Sequence, residues 1–170
     1  MVVIATTWNS TGPAVATAPN GVVASMHCNS VNGLPDPACT PGVIDPRVTQ
    51  DNISTTICVR GYTKTVRPPA SYTHDLKVRQ IAEYGYADKS LASYEEDHLV
   101  PLELGGHPTD PKNLWPQPRA GEHPAAQKDL VENALHAKVC GGAMTLAAAQ
   151  AAIATNWVSI SLSPSGRGLG

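Results

Sequence analysis

Apolar residues recur at helical spacing in three stretches of the chain. The clearest is residues 125–139, where Leu130, Val131, Ala134, Leu135 and the stem of Lys138 form one side. Lys128, Glu132 and His136 follow at i, i+4 and i+8, flanked by Asp129 and Asn133, and Cys140-Gly141-Gly142 stops the helix. Upstream, Ser71 or Thr73 caps a helix running to about Tyr84 and ending before Gly85. Leu76, Val78, Ile81 and Tyr84 face inward there, and Lys77 and Arg79 face out. A third, Ala-rich helix follows a Thr145 cap and packs Leu146, Ala149, Ile153 and Trp157 on the body.

Alternation replaces helical spacing in the middle of the chain. From Tyr94 onward, His98, Val100 and Leu102 share one face of a strand, with Asp97, Leu99, Pro101 and Glu103 on the other. Asp97 and His98 therefore reach a common point only if the strand twists or bulges. Pro101 cannot donate to a ladder and marks an irregular edge. Gly105-Gly106 supplies a turn, His107 is an exposed loop residue, and Asn113-Leu114-Trp115-Pro116 returns as an extended segment with Trp115 sealing the core. Residues 55–59 (Thr-Thr-Ile-Cys-Val) read as a further strand after a turn or short helix at Gln50-Asp51-Asn52-Ile53. Val2-Val3-Ile4-Ala5 and Gly21-Val22-Val23-Ala24 read as edge strands or an extended arm, and Pro and Gly punctuate residues 35–46 as a connection.

Composition narrows the fold. With 5% aromatic residues, no Phe, 14 Gly and 15 Pro, the core must be built from Val, Ile, Leu and Ala between many loops. A net charge of -2 gives no global nucleic-acid signature. Locally the picture differs: Arg60, Lys64, Arg67, Lys77 and Arg79 are opposed only by Asp75 between positions 59 and 80, with Tyr62 and Tyr72 interleaved. That is a footprint suited to phosphates and stacked bases, or else a solvated face. Cys28, Cys39, Cys58 and Cys140 contain no C-x-x-C pair. Two disulfides, in any of three pairings, would place the protein outside the reducing cytosol, secreted or periplasmic; buried free thiols are the alternative. His27 beside Cys28 reads as structural. No stretch approaches the roughly 18 apolar residues of a membrane span, and the first residues are too short and uncharged for a signal sequence.

Chemistry concentrates at Asp97-His98. An Asp directly before a His lets one side chain hold a cation while its neighbour acts as a base toward water. Asn113, fifteen positions after His98, has donor and acceptor with which to tie one loop segment to another. The helical stripe is open to two readings: a solvated face with a Lys128 to Glu132 pair worth a few tenths of a kcal/mol, or a ligand stripe facing Asp97. No G-x-S-x-G elbow is present, and no Cys has an evident His partner, which argues against serine or cysteine hydrolases.

Asp97-His98, Asn113 and Glu132-x-x-x-His136 together resemble the HNH endonucleases, the ββα-metal or His-Me finger nucleases, over roughly residues 90–140. Here the first ligand is Asp, and the helical pair follows an insertion at residues 118–127. The resemblance implies an α+β fold with a ββα-metal core at about residues 93–140, inside one domain spanning residues 37–160. Added N-terminal strands or loops occupy residues 1–36, helices flank the core, and residues 161–170 form a disordered tail. It implies His98 as general base, Asn113 as its brace, and Asp97, Glu132 and His136 as ligands of one divalent cation, with Asn133 as a substitute. Mg²⁺ or Mn²⁺ suits that set, and zinc suits His136. Arg60, Lys64, Arg67, Lys77, Arg79 and Lys128 would contact nucleic acid, DNA ahead of RNA, and products would carry a 5′ phosphate. The chain would act as a monomer away from membranes; a toxin role would require an immunity partner. The competing classes are a noncatalytic nucleic-acid-binding or wall-binding module on the same scaffold, and a secreted structural module held by disulfides.

Overall fold

The computed structural model describes residues 27–162. The expected edge strands at Val2-Val3-Ile4-Ala5 and Gly21-Val22-Val23-Ala24, and nearly all of the expected tail, lie outside these residues. The described chain mixes helices with a two-stranded antiparallel sheet, in the order α1 (Tyr62–Val66), α2 (Ala70–Glu83), β1 (Tyr94–His98), β2 (Leu114–Pro118), α3 (Ala125–Cys140) and α4 (Leu146–Asn156). It is an α+β arrangement. None of its helices is long and apolar enough to cross a membrane.

Proline sets the first two helices. Arg67 precedes Pro68 and is extended, which ends α1. Pro69 then stands at the N-cap of α2 with no side-chain cap, so neither Ser71 nor Thr73 takes the expected capping role; both lie inside the helix. The inward face of α2 is Leu76, Gln80, Ile81 and the following Tyr84, while Val78 is half exposed. Gln80 is buried in its place because its Nε2 donates to the carbonyls of Leu114, at the start of β2, and of Pro111, in the 3-10 turn just before it. Residues 55–59 are not a strand. Thr55 and Thr56 turn their hydroxyls back onto the Asn52 carbonyl and close a 3-10 turn over Gln50–Thr55.

In the sheet, Tyr94 pairs with Pro118, Glu96 with Pro116, Asp97 with Trp115 and His98 with Leu114. Leu99 N–H donates to the Asn113 carbonyl at 2.8 Å, so ladder bonds fall on odd-numbered β1 positions. Pro116 and Pro118 therefore sit where a missing N–H costs the sheet nothing. The loop between the strands is itself core: Leu99, Val100, Leu102 and Leu104 are buried, and Trp115 and Trp157 have no exposed surface. A Cβ on Gly106 would lie 1.7 Å from the Val100 carbonyl oxygen, and Gly105 has φ 73°, so this turn requires both glycines.

Helix α4 behaves as expected, with the Thr145 hydroxyl accepting from Ala148 N and Leu146, Ala149 and Ile153 buried. In α3 the apolar side is rotated from the expected one. Ala125, Lys128, Val131, Leu135 and Val139 face inward, while Leu130 is 59% exposed. The four cysteines pair as Cys28 with Cys39 and Cys58 with Cys140, the second clamping the end of α3 to the turn before α1. Two disulfides suit an oxidising compartment.

Candidate active site

Asn113 is fully buried and uses its whole amide on the loop behind β1. Its Oδ1 accepts from Val100 N at 2.9 Å, and its Nδ2 donates to the carbonyls of Val100 at 2.9 Å and His107 at 3.1 Å. One side chain thus fixes both ends of the excursion from His98 to the glycine turn. His107 is less exposed than expected: its Nδ1 accepts from Thr109 N and Asp110 N and shapes the same loop.

His98 ends β1, 5% exposed, with Nε2 3.0 Å from the Pro108 carbonyl oxygen. A carbonyl only accepts, so Nε2 carries the proton and Nδ1 bears the free lone pair. Burial lowers the imidazole pKa from its ordinary 6.5, opposed by the Pro108 bond and the charge of Asp97. The ring is neutral at neutral pH, the state a general base requires.

Asp97 turns the other way, as alternation requires. Its Oδ2 accepts from Lys128 Nζ at 2.7 Å; the same ammonium donates to the His98 carbonyl at 2.7 Å and to Glu132 Oε1. Lys128 has no exposed surface and all three of its protons are engaged. This corrects the expectation that it contacts nucleic acid: two carboxylates and a carbonyl make burial tolerable. Burial disfavours the ammonium, but Asp97 and Glu132 outweigh it and hold its pKa above the ordinary value. Burial likewise pushes the Glu132 carboxyl up, against the pull of Lys128.

Of the expected ligand trio, Asp97 and Glu132 meet at one ammonium. His136 does not join them: its Nε2 lies 2.9 Å from the Ile57 carbonyl oxygen and 3.3 Å from Cys140 Sγ. Asn133 is exposed and donates to the Asp129 carbonyl within its own helix. Asp97 Oδ1 has no hydrogen-bond donor among the described residues, and the charge of Asp97 acts on Asp129, whose pKa burial has already raised. These oxygens are hard donors of the kind Mg²⁺ or Mn²⁺ takes, but they do not converge as a three-ligand group; among the described residues only Cys58, His136 and Cys140 do so. With His136 held elsewhere, a zinc ion at this position would have no nitrogen ligand from α3.

Around His98 the basic segment divides. The charge of Arg67 acts on His98, and those of Lys77 and Arg79 act on Glu96, which shares the His98 face of β1. Lys77 is half-buried, not turned outward, and donates to the carbonyls of Leu91 and Tyr94. Lys64 is exposed on α1, and Arg60 lines a different cavity, of about 370 Å³, with Glu103 and His136. Two residues beyond the expected set emerge. Glu96 has both carboxylate oxygens buried without a partner among the described residues, and burial raises its pKa to about 8. Arg119 donates to Tyr94 O and pairs with Glu95 at 2.8 Å. Alternation along Tyr94-Glu95-Glu96-Asp97-His98 carried the signal for Glu96; Arg119 had none beyond its charge. Both border a polar cavity of about 300 Å³ with Thr73, His74 and Lys77. The larger cavity, about 650 Å³, lies between the Cys28 to Cys39 loop and α4 and includes neither Asp97 nor His98. No protein-family model matches the chain, and no curated protein or solved structure matches it significantly.

Proposed function

We propose that the protein is a metal-dependent endonuclease of the HNH type, hydrolysing phosphodiester bonds of nucleic acid, DNA ahead of RNA. The observation that carries this reading is the state of His98: its Nε2–H is held by Pro108, its loop is clamped by Asn113, and Nδ1 is left neutral and unpaired. Nδ1 takes the proton of the attacking water, so that the Pro108 carbonyl stabilises the imidazolium that forms. Asp97 would hold a divalent cation once Lys128 is displaced from it, and the cation would then supply positive charge to the phosphate and the leaving 3′ oxygen. Arg67 and Arg79 guide the phosphate backbone to the His98 face. Products carry a 5′ phosphate, and the disulfides support action in a secreted or periplasmic setting.

One observation favours the competing reading, a noncatalytic binding module: the Lys128 ammonium already neutralises Asp97. Digestion of plasmid DNA and total RNA in Mg²⁺, Mn²⁺ or Zn²⁺ with EDTA controls, comparing the native chain with His98→Ala, separates the two. Metal-dependent cleavage lost in the variant supports the endonuclease. A folded protein that cuts neither polymer under any metal, yet still binds DNA, is the binding module.

A further inference from the structure

The Cys58 to Cys140 disulfide has unusual company. His136 stands one helical turn before Cys140, with Nε2 3.3 Å from Cys140 Sγ, and the donor atoms of Cys58, His136 and Cys140 all lie within 4.8 Å of one another. Glu103 borders the same cavity of about 370 Å³ as Cys58 and His136, and its Oε1 is buried without a partner among the described residues. As oxidised here, neither sulfur is free to bind a metal. We propose that the reduced protein holds one zinc ion through Cys58, Cys140 and His136, with the fourth position taken by water or by Glu103 from across the cavity, replacing the covalent clamp by a coordinated one.

The chemistry balances with a dithiol as reductant. The Sγ to Sγ bond breaks, two electrons and two protons pass from the dithiol, and the dithiol closes to its own disulfide. Zinc then displaces the two thiol protons to solvent, one ring nitrogen of His136 coordinates, and the other keeps the ring proton. Two thiolates at zinc–sulfur distances of about 2.3 Å stand about 3.8 Å apart in a tetrahedral site, so the sulfurs must separate by rotation of their side chains. Cys140 is exposed and Cys58 and His136 are half-buried, so reductant and metal both reach the group. Cys28 and Cys39, in contrast, belong to no such cluster among the described residues. The function served is mechanical: the end of α3, the helix that carries Lys128 and Glu132, stays fastened to the turn before α1 in either redox state.

The test uses the full chain, reduced with dithiothreitol, desalted without oxygen and titrated with Zn²⁺ and Co²⁺. One zinc per chain after reduction, none bound at this group before it, and cobalt spectra with sulfur-to-metal charge transfer are expected. His136→Ala should weaken the reduced-state affinity by at least about tenfold, while Cys28→Ser with Cys39→Ser and Asp97→Ala should each retain the site. Should Cys58→Ser with Cys140→Ser prove unfolded, the His136→Ala titration and the cobalt spectra decide alone. Absence of a stoichiometric sulfur-bound metal in the reduced native chain, or affinity indifferent to His136, overturns the proposal. Neither outcome depends on whether the protein cuts nucleic acid.

Discussion

The Nζ of Lys128 donates to Oδ2 of Asp97 at 2.7 Å from a side chain with no exposed surface. The same proton donor reaches the His98 carbonyl, so the end of β1 is pinned to α3 through one ammonium. Lys128→Met would leave Asp97 beside a buried Glu132 with no compensating charge. Loss of one partner of a buried pair costs about 3–5 kcal/mol, and a urea titration should show that destabilisation. Lys128→Met combined with Asp97→Asn should recover part of it, since the double change removes the stranded charge. A Lys128→Met loss below about 1 kcal/mol would place this contact among ordinary exposed ion pairs.

Asn113 ties three backbone groups at once. Asn113→Asp keeps the size and the acceptor for Val100 N, but removes both donors and aims a carboxylate at the carbonyls of Val100 and His107. Buried acceptors left unpaired cost about 1–3 kcal/mol each, so Asn113→Asp should lower stability by about 2–5 kcal/mol. Asn113→Ala, which strands Val100 N as well but buries no charge, should be comparable or milder. Thermal melts of the two variants read this directly. If cleavage is observed in the native chain, it should fall in both variants at temperatures where they remain folded, because His98 loses its fixed loop.

How much of this arrangement could be read from residues alone depended on what each residue needed. Asn113 was legible because its spacing from His98 and its amide chemistry point to one role, and Trp115, Trp157 and the Thr145 cap followed from burial and hydrogen-bonding rules. His136 and Lys128 were not. Glu132 and His136, four apart, differ by only about 40° in direction and about 6 Å along the axis, so spacing gave no reason to separate them; the Ile57 carbonyl and Cys140, from outside that pattern, hold His136 away. Nor does periodicity say which side of α3 faces in: an inward Lys128 and an outward Leu130 depended on Asp97 arriving from another element. Residues 55–59 have strand-like composition, but hydroxyl bonds to Asn52 and the bond from Cys58 to Cys140 hold them in turns.

The two disulfides close chain separations of 11 and 82 residues. In the chain-entropy description these constrain the unfolded state by about 3 and about 4.5 kcal/mol respectively. Cys58→Ala with Cys140→Ala should therefore destabilise the oxidised protein more than Cys28→Ala with Cys39→Ala. Guanidinium titrations of both pairs check the order. A reversal would mean that Cys28 and Cys39 do more than close a short loop.

His98 sets an acid limit. Its folded pKa lies below the ordinary 6.5, so on acidification the unfolded chain takes up this proton first. The contribution is fully present above pH 6.5 and is lost as pH falls toward and through the folded value. His98→Gln should flatten the stability loss in that window. For hydrolysis, the acid limb of the rate profile should fall below pH 6.5, because Nδ1 accepts a proton only while the ring is neutral. A limb centred above 6.5 would identify a different base.

Glu96 works in the opposite direction. Burial holds its carboxyl protonated up to about pH 8, against an ordinary value of 4.5, while Lys77 and Arg79 oppose the shift and Asp97 and Glu83 reinforce it. Between those values the unfolded chain releases the proton and the folded chain retains it. The stability contributed is complete below pH 4.5 and is lost progressively as pH rises through about 8. Glu96→Gln mimics the protonated carboxyl at every pH and should be more stable than the native chain at pH 8, with the difference vanishing near pH 4.5. Denaturant titrations across this range in metal-free buffer measure the difference. A variant equally destabilised at both pH values would show that the two Glu96 oxygens are satisfied in solution, with Lys77 or Arg79 turned toward them.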